Sequence, residues 1–350
     1  MVKVTSSAKQ TSRGEPEQAP TRGVEFPQPY VIEFTETTTG LSDLADHEVV
    51  VAARYSVLSP GTELARYRGE TFGSRNHGGF PFRPGYAMAG VVLRAGSEAG
   101  VEEGTEVLSY TPHQSVYRFD RRKVICVDIP RGLPLGVAPF GRLAQVGAVA
   151  LQVSAAKPDD VVVVVGLGPI GNLAAQLAAA SGYRVVGIEK SDYRRRVARA
   201  CGLQRVVDPS AARAELDSLG GARLVLECSG STAALLLATD LCTSYGEILT
   251  VGAPWKTEAD VTASAIVGRI FEKYLTLRSG WEWQLPRYDD RTGRSVEASL
   301  EWVLRKIEDG SIVTGPLVSG TLKPEDAARG YQLLDASPEE NFTFLLNWGE

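Results

Sequence analysis

The spacing of apolar and polar residues changes along the chain, and its first pattern is a series of short strands. Between residues 24 and 128, apolar runs such as HEVVVAARYSVLSPGTE and GYAMAGVVLRAGSE are separated by glycine and proline turns. Irregular short runs with frequent breakers are typical of β structure. This part of the chain is therefore predicted to be a compact β-rich, partly barrel-like domain.

After Pro139, strand-like and helix-like patterns alternate. Val161 to Val165 are consecutive valines, as expected for a parallel strand that is buried on both faces. The next apolar residues recur at helical spacing, at Ile170, Leu173, Ala174 and Leu177. Further strand candidates follow at 184–189, 224–228, 247–251 and 275–278. This alternation predicts an α/β fold with a doubly wound parallel sheet.

Two amphipathic segments and an N-terminal tail complete the pattern. SVEASLEWVLRKIEDGSI is predicted to be a helix that ends at Gly310, and KPEDAARGYQLL a second helix with Pro324 near its start. Residues 1–23 are rich in Ser, Gln, Pro, Glu and Gly and contain no apolar stretch. They are predicted to be a disordered tail and not a secretory signal.

Length and charge narrow the class of protein. A chain of 350 residues suits two domains, and a net charge of -5 gives no reason to expect nucleic acid or an anionic membrane as a partner. No apolar run approaches the roughly 18 residues that span a bilayer. The four cysteines are scattered without a CxxC pair. We therefore expect a cytoplasmic protein that binds a small-molecule substrate.

The strongest chemical signal is a glycine-rich turn. Gly166, Gly168 and Gly171, with Pro169 and Ile170 between them, fit the pattern G-x-G-x-x-G directly after the valine strand and at the start of a helix. The first glycine allows a tight turn, the second lets a pyrophosphate approach the backbone, and the third lets the helix pack on the strand. The motif predicts a dinucleotide site.

The acid after the second strand indicates which dinucleotide is bound. Glu189 lies eighteen residues after Gly171, where its carboxylate can accept hydrogen bonds from the adenosine ribose. A 2′-phosphate would meet a like charge there, so NAD is favoured over NADP. Lys190 and Arg194, with Arg195 and Arg196, follow closely and could instead hold a phosphate or form a solvated helix face.

Several segments carry a family resemblance. They are SVLSPGTELARYRG, RPGYAMAGVVLRAGSEAGVEEGTEVL, LECSGS, YGEILTVGAPW and the C-terminal LRKIEDGSIVTGPLVSGTLKPEDAARGYQLL. Together they resemble the medium-chain dehydrogenase/reductase superfamily, the zinc alcohol dehydrogenase-like fold. The resemblance implies a GroES-like catalytic domain formed by 24–140 and 291–350 around a Rossmann NAD-binding domain at 141–290. It also adds Ser229, Gly252 and Ala253 to the cofactor-binding residues.

The residues at the family's metal positions differ from its pattern. The first zinc ligand falls near Pro60, the second on Tyr86 and the third at about Gly141, none of which is a zinc ligand. The four-cysteine lobe that holds a structural zinc is missing too. The chain looks closest to a zinc-less subgroup that includes bacteriochlorophyllide dehydrogenase-like proteins, so we expect no metal.

Four residues are candidates to do the work of the zinc. Tyr86 would act as an acid toward the reacting oxygen or merely fill the metal pocket. Thr62 falls at the proton-relay position of the zinc enzymes, or caps a turn. Glu63 would orient the substrate, act as a base, or pair with a nearby arginine. Arg142 would bring positive charge to the oxyanion, or form an ordinary ion pair.

Aromatic residues and one histidine are candidates for the substrate pocket. Trp255 follows the fifth strand of the Rossmann domain, where the resemblance places the nicotinamide, and Trp281 and Trp283 come after the sixth. His77 lies in a glycine-rich loop expected at the cleft. Core or subunit packing is the alternative for the tryptophans.

These features predict a zinc-independent NAD-dependent oxidoreductase. It would interconvert a secondary alcohol and a ketone on a polar cyclitol, a sugar or a specialised metabolite. One alternative is an NADPH-dependent reductase of activated C=C bonds, against which Glu189 argues. Another is a non-catalytic NAD-binding protein on a dehydrogenase fold. The resemblance also implies a homodimer or homotetramer.

Overall fold

The computed structural model describes residues 17–70, 79–255, 260–288 and 294–349. Its N-terminal part consists of short strands and one short helix. In chain order they are β1 (Gln18–Glu25), β2 (Glu33–Gly40), β3 (Glu48–Val57), α1 (Thr62–Tyr67), β4 (Met88–Ala95), β5 (Glu106–Ser109), β6 (Val116–Asp120) and β7 (Cys126–Asp128). The predicted β-rich region is confirmed.

The prediction of a disordered tail over residues 1–23 is wrong at its C-terminal end. β1 pairs antiparallel with β2 over its whole length. Thr21 and Val24 in β1 are buried, and the Thr21 hydroxyl donates a hydrogen bond of 2.7 Å to Thr39. The polar composition hid this strand because its stability comes from pairing with the threonine-rich β2, which is a tertiary contact. Residues 1–16 lie outside the described residues.

A largely buried helix connects the β-rich part to the second sheet. α2 (Pro139–Val153) is buried along most of its length, as its run of small and apolar residues predicts. Two glycines allow close packing. A Cβ on Gly147 would lie 2.5 Å from the Ala174 Cβ, and one on Gly141 would lie 2.7 Å from the Leu304 side chain. The helix is therefore held between neighbours on two sides.

The second sheet is the predicted parallel sheet. Its elements in chain order are β8 (Val161–Val165), α3 (Pro169–Ala180), β9 (Arg184–Ile188), α4 (Asp192–Ala200), β10 (Val206–Val207), α5 (Ala212–Asp217), β11 (Ala222–Glu227), α6 (Thr232–Leu241), β12 (Cys242–Thr250), α7 (Ala263–Lys273) and β13 (Thr276–Ser279). The strand order is β10-β9-β8-β11-β12-β13, and all neighbours are parallel. The order reverses between β8 and β11, where ligands of doubly wound sheets bind.

The C-terminal segment returns to the first sheet, as expected. After α8 (Val296–Glu308), the chain forms β14 (Gly320–Leu322), α9 (Ala327–Ala336) and β15 (Phe344–Asn347). β15 pairs antiparallel with β3 and parallel with β14, which gives the order β14-β15-β3-β4-β5-β7 with β6 also on β3. The domain boundaries themselves stay a prediction. In the described ranges, no helix has both the length and the apolar character needed to cross a bilayer.

Candidate active site

The glycine turn between β8 and α3 has the shape that a dinucleotide requires. Gly166 adopts φ +87°, and a Cβ there would lie 2.8 Å from that of Ser229. A Cβ on Gly171 would lie 1.9 Å from the carbonyl oxygen of Gly166. At Gly168, by contrast, nothing lies within 4 Å of the Cβ position. Gly166 and Gly171 are thus needed for the turn itself, whereas Gly168 leaves open space beside the backbone.

The start of α3 faces the same space. Gly168 is the N-cap and Pro169 the first helical residue, and no side chain caps the first turn. The first N–H groups of a helix have no partner within it and carry the positive end of the helix dipole. Ile170, which follows Pro169, is half-buried. This terminus is suited to phosphate oxygens, so the residues of the turn fit a dinucleotide.

Glu189 stands directly after β9 and is 4% exposed. One oxygen of its carboxylate accepts a hydrogen bond of 2.8 Å from the Leu167 backbone N–H, and the other accepts one of 3.0 Å from the Ser191 N–H. The carboxylate therefore supports the glycine turn from beneath. Each oxygen keeps a second lone pair that a ribose hydroxyl can use.

The basic residues after Glu189 differ in whether their side chains are already hydrogen-bonded within the protein. Arg195 donates to the backbone carbonyls of Glu189 at 2.6 Å and Lys190 at 2.8 Å, so its guanidinium is committed to the loop. Lys190 is exposed. Arg194 is half-buried, and its Nε has no hydrogen-bond partner in the described part of the chain. Lys190 and Arg194 thus remain available to a ligand, on either cofactor hypothesis.

The ends of β11 and β12 close the cradle on the other side. Glu227 ends β11, is 2% exposed, and accepts hydrogen bonds from the Ser229 N–H at 2.7 Å and from the Ser229 hydroxyl at 2.5 Å. A Cβ on Gly252 would lie 2.3 Å from the Gly230 nitrogen, and one on Gly230 would lie 2.2 Å from the Ala253 oxygen. The predicted Ser229, Gly252 and Ala253 are therefore brought together at the sheet edge that also carries Gly166.

A second cluster is centred on Arg142, which α2 holds in a position that is 6% exposed. Its Nη2 donates to the carboxylate of Glu282, and the two side chains are 7% and 5% exposed. The guanidinium carbon lies 4.2 Å from the centroid of the Tyr110 ring and 5.0 Å from that of Tyr86. Arg142 thus has an ion pair and two cation–π contacts.

Gln145, one helical turn after Arg142, extends this cluster. Its Oε1 accepts from the Tyr110 hydroxyl at 3.0 Å and from the Arg142 Nη1 at 3.3 Å. Because arginine only donates, these contacts assign the acceptor end of the amide. Two buried donor atoms of the cluster, Arg142 Nε and Gln145 Nε2, have no acceptor among the described residues.

The electrostatics of this cluster favour a protonated tyrosine beside a permanent cation. Burial raises the pKa of the Tyr86 hydroxyl well above its ordinary value, and Glu63 adds to the increase while Arg142 opposes it. Burial also raises the pKa of Tyr110. Burial opposes the charge on Arg142, but Tyr110 and Glu282 outweigh it, so the pKa of the guanidinium is raised. Tyr86 is therefore a proton donor at neutral pH.

Three of the four catalytic candidates, Tyr86, Arg142 and Glu63, lie close to one another. The half-buried Tyr86 donates a hydrogen bond of 2.6 Å from its hydroxyl to Ser59 Oγ. Ser59 in turn donates from its backbone N–H to the Glu63 carboxylate at 3.0 Å. Glu63 is 1% exposed, so it lies behind Tyr86 and is shielded from solvent. Thr62 is exposed at the start of α1, a helix without a side-chain cap.

The aromatic candidates are distributed around the same region. Trp281 and Trp283 flank Glu282 and are 57% and 49% exposed. The Trp283 ring meets the Tyr110 ring edge to face, with centroids 6.2 Å apart. Trp255 is half-buried just after the loop that follows β12. His77 lies outside the described residues, so its predicted role stays a prediction.

The residues at the metal positions do not form a ligand set. Pro60 has no side-chain donor, Gly141 has no side chain, and Tyr86 uses its hydroxyl for Ser59. Among the described residues, no group of three or more His, Cys, Asp or Glu side chains is arranged to hold a metal ion. A catalytic zinc needs three such ligands and an open position, so the donors at these positions do not fit one.

Five residues of the site were not predicted from the sequence: Ser59, Tyr110, Gln145, Glu227 and Glu282. Only two of them had a detectable signal. Gln145 lies three residues after Arg142 in a predicted helix, so it shares a face with it. Glu282 is an acid between two tryptophans, which is unusual in a solvated loop. The other three depend on contacts between distant parts of the chain.

Comparison with known proteins agrees with this geometry. Residues 169–287 match the family model for zinc-binding dehydrogenases. The 2-desacetyl-2-hydroxyethyl bacteriochlorophyllide A dehydrogenase of Rhodobacter capsulatus is 26% identical over 88% of this chain and 93% of its own length.

Solved structures share the fold. An alcohol dehydrogenase from Escherichia coli CFT073 complexed with NADH has a TM-score of 0.72 at 18% identity, over 94% of this chain and 99% of its own. A protein of Sinorhizobium meliloti 1021 classed with the zinc-binding dehydrogenases and bound to NADP has a TM-score of 0.73 at 17% identity, with the same coverage. These matches support placing the chain in the medium-chain dehydrogenase/reductase superfamily, as an oxidoreductase of the alcohol or polyol dehydrogenase type.

Proposed function

We propose that this protein is a zinc-independent, NAD-dependent oxidoreductase that interconverts a secondary alcohol and a ketone. The observation that carries the proposal is the pairing of a dinucleotide cradle with a polar cluster whose described residues include no set of zinc ligands. In that cluster Tyr86 and Arg142 stand at or beside two positions that are zinc ligands in the family. The bound nicotinamide would supply the hydride acceptor and donor. The chain itself would bind the cofactor, orient the substrate and move the proton.

NAD is proposed over NADP because of Glu189. The carboxylate is fixed from below by two backbone N–H groups, so it cannot turn away from a 2′-phosphate without breaking them. A phosphate beside this fixed negative charge would be repelled. Lys190 and Arg194 are the residues that work against this preference. Glu189→Gln combined with Lys190→Arg should therefore shift the ratio of NADH to NADPH affinity toward NADPH.

The proposed replacement for the metal is the hydroxyl of Tyr86, supported by Arg142. A reacting oxygen needs a donor that stabilises its developing charge and a group that exchanges a proton with it. Tyr86 carries this proton at neutral pH, because burial raises the pKa of its hydroxyl. Arg142 contributes its charge from beneath the Tyr86 ring, as zinc would contribute a Lewis acid. Its unpartnered Nε is a donor that a polar ligand would satisfy.

The same geometry narrows the proposed substrate class. Glu63 is buried and the charge of Arg142 is balanced by Glu282, so neither residue offers a free charge to a sugar or cyclitol. The exposed faces near the cluster are aromatic, on Trp281 and Trp283. We therefore propose a specialised metabolite with a neutral alcohol or ketone next to a flat, unsaturated ring. The hydroxyethyl group in the name of the Rhodobacter capsulatus relative is an example of such a function.

We also propose that two copies associate through β13. This strand is the last in its sheet and all four of its residues are exposed. In the neighbouring α7 no residue is buried, and Phe271 is 82% exposed. Two identical edge strands can pair antiparallel across a two-fold axis, which satisfies the free N–H and C=O groups of both. Leu277→Asp should convert a dimer to a folded monomer in light scattering, whereas Val313→Asp, at another exposed aliphatic residue, should not.

One set of measurements tests the enzymatic proposal. Calorimetry with NADH and NADPH should detect binding with NADH preferred, and metal analysis should find no stoichiometric zinc. Hydride transfer should be seen with 1-phenylethanol or acetophenone in preference to sorbitol or inositol, and a chelator should leave it unchanged. No dinucleotide binding, stoichiometric zinc with chelator sensitivity, or a preference for enones with NADPH would each overturn the proposal.

A further inference from the structure

A buried polar network lies behind Tyr86 and extends away from the cleft. Its centre is Glu63, whose Oε2 accepts hydrogen bonds from the Ser59 N–H at 3.0 Å, from the Tyr331 hydroxyl at 2.7 Å and from His113 Nε2 at 3.3 Å. Glu63, His113 and Tyr331 are each at most 1% exposed. They come from α1, from the loop before β6 and from α9, so the network joins both ends of the chain.

Burial of this network costs free energy of folding. A buried carboxylate loses its hydration, and hydrogen bonds restore only part of that free energy. Among the described residues, Oε2 accepts all the hydrogen bonds to this carboxylate, while the buried Oε1 has no partner. His113 Nδ1 forms a hydrogen bond of 2.8 Å with the Ser56 hydroxyl. The oxygen of that hydroxyl accepts a second hydrogen bond, of 3.0 Å, from Trp348 Nε1. His113, one of the three donors to Glu63, is thus held in place, and within the described part of the chain Oε1 is left open as an acceptor.

The network is connected to the catalytic tyrosine by backbone and side chain. His113 donates its backbone N–H to the Pro84 carbonyl at 2.8 Å. Gly85 adopts φ +104°, and a Cβ there would lie 2.4 Å from the His113 nitrogen. Only glycine allows this approach, which places Tyr86 with its hydroxyl 2.6 Å from Ser59 Oγ. The position of Tyr86 thus depends on His113 and Ser59.

We propose that Glu63 is the proton acceptor at the end of a relay that runs from Tyr86 through Ser59, with His113 and Tyr331 as its positioning residues. This inference rests on the proposed alcohol–ketone activity and adds the path of the proton. During alcohol oxidation a bound nicotinamide would accept the hydride from the carbinol carbon. The substrate O–H proton passes to the Tyr86 oxygen as the Tyr86 proton passes to Ser59 Oγ. The Ser59 proton then passes to Glu63 Oε1.

Each step conserves protons and charge, and ketone reduction follows the same path backward. The last link needs a rotation that brings Ser59 Oγ to Oε1, since that oxygen has no partner in the structure. Ser59 is already tied to the other carboxylate oxygen through its backbone. After product release, the proton returns from Glu63 through Ser59 to the half-buried Tyr86, which passes it to solvent. The charged and titratable groups that face Tyr86 and Glu63 are Arg142, Glu282, Tyr110, His113 and Tyr331.

The first experiment measures turnover in the full-length protein with a ketone and an alcohol. Ser59→Ala and Glu63→Gln should lower kcat by about 10- to 100-fold with KM for substrate within about twofold, because a proton step is lost and binding is not. Ser59→Thr keeps the hydroxyl and should restore most of the activity. Ser109→Ala, at a serine that is also buried but lies at the end of β5, should change nothing. Ser59→Ala and Glu63→Gln variants that fold and keep kcat within threefold of wild type would overturn the relay.

The second experiment does not depend on activity. With tyrosines labelled by ¹³C at the hydroxyl-bearing carbon, the Tyr86 signal is assigned by its loss in Tyr86→Phe. Ser59→Ala should move this signal at neutral pH, and Glu63→Gln should make Tyr86 titrate at lower pH because a nearby negative charge is gone. Tyr331→Phe, which keeps the ring but removes a hydrogen bond to the Glu63 carboxylate, should also move the Tyr86 signal and serves if Glu63→Gln does not fold. A Tyr86 signal that is unchanged in all three variants would overturn the coupling, whether or not the protein transfers hydride.

Discussion

The ion pair between Arg142 and Glu282 provides a sharp test of the site, because its two charges are almost completely desolvated. The side chains are 7% and 5% exposed, so bulk water hydrates neither charge. Removing one partner of such a buried pair leaves an uncompensated charge, which costs about 3–5 kcal/mol. We therefore expect Glu282→Gln to destabilise the folded protein strongly.

Other contacts of Arg142 reduce this cost. The Tyr110 and Tyr86 rings lie 4.2 and 5.0 Å from the guanidinium carbon and remain in place in the variant. Cation–π contacts are worth about 0.5–2 kcal/mol each, and the new amide oxygen still accepts one hydrogen bond. The expected loss in the free energy of unfolding for Glu282→Gln is therefore about 2–4 kcal/mol.

A double variant separates stability from chemistry. Arg142→Met with Glu282→Leu removes both charges and fills the space with apolar groups, which is often neutral for a buried pair. Its free energy of unfolding should lie within about 1–2 kcal/mol of the wild-type value. It should nevertheless lose most of its turnover, because no cation remains beneath the Tyr86 ring.

The assay is equilibrium unfolding in urea, followed by tryptophan fluorescence and circular dichroism. Glu325→Gln is the matched control, because the Arg22–Glu325 pair is 41% and 45% exposed. Exposed pairs contribute about 0–1 kcal/mol. If Glu282→Gln cost no more than Glu325→Gln, the pair would not be desolvated in solution. If the double variant kept full turnover, Arg142 would have no part in the reaction.

Three further results are expected. Gly168→Ala should weaken NADH binding at least about tenfold without a change in melting temperature, since its Cβ meets no protein atom within 4 Å. Gly171→Ala, whose Cβ would lie 1.9 Å from a carbonyl oxygen, should cost about 1–3 kcal/mol of stability, and the opposite order of effects would contradict this account of the turn. Tyr86→Phe should lower turnover about 10²-fold, and wild-type ketone reduction should persist above the ordinary tyrosine pKa of about 10, because burial raises the pKa of Tyr86. A decline centred at pH 10 would argue against a buried acid. Burial also raises the pKa of the Cys126 thiol to about 12 and that of the Cys201 and Cys242 thiols to about 11. These thiols should resist iodoacetamide at pH 8 until the protein unfolds, and the stability they contribute, complete below the unfolded thiol pKa of about 8.5, should decline as pH rises toward their folded values.

Much of the fold was predictable because its signals are local. The five valines of β8, the helical spacing of α3 and the breakers of the N-terminal region each reflect the burial of one element on its own. The return of the C-terminal segment to the first sheet came from the family resemblance. The strand Gln18–Glu25 was missed because a polar sequence pairs there with another polar sequence, and no periodicity marks such a pair.

The two halves of the site differ in the same way. The residues predicted for the cofactor cradle lie together in the structure, since they belong to one turn and to the ends of successive strands, and backbone geometry requires glycine at Gly166 and Gly171. That they bind a cofactor stays a prediction. Of the catalytic candidates, the structure brings Tyr86, Arg142 and Glu63 near one another, and their roles stay predictions. Glu63 was expected to orient the substrate, act as a base or pair with a nearby arginine, and the structure buries it against His113 and Tyr331.

The sequence by itself determined the alternation of strands and helices, the glycine turn and the absence of zinc-type residues at the three family positions, because each is a property of adjacent residues. Tertiary structure alone decided which charge balances which. Arg142 and Glu282 are separated by 140 residues, and Glu63 and Tyr331 by 268. The choice among so many donors and acceptors is made by desolvation, which favours the pairs that meet when two sheets and their helices close on a common core.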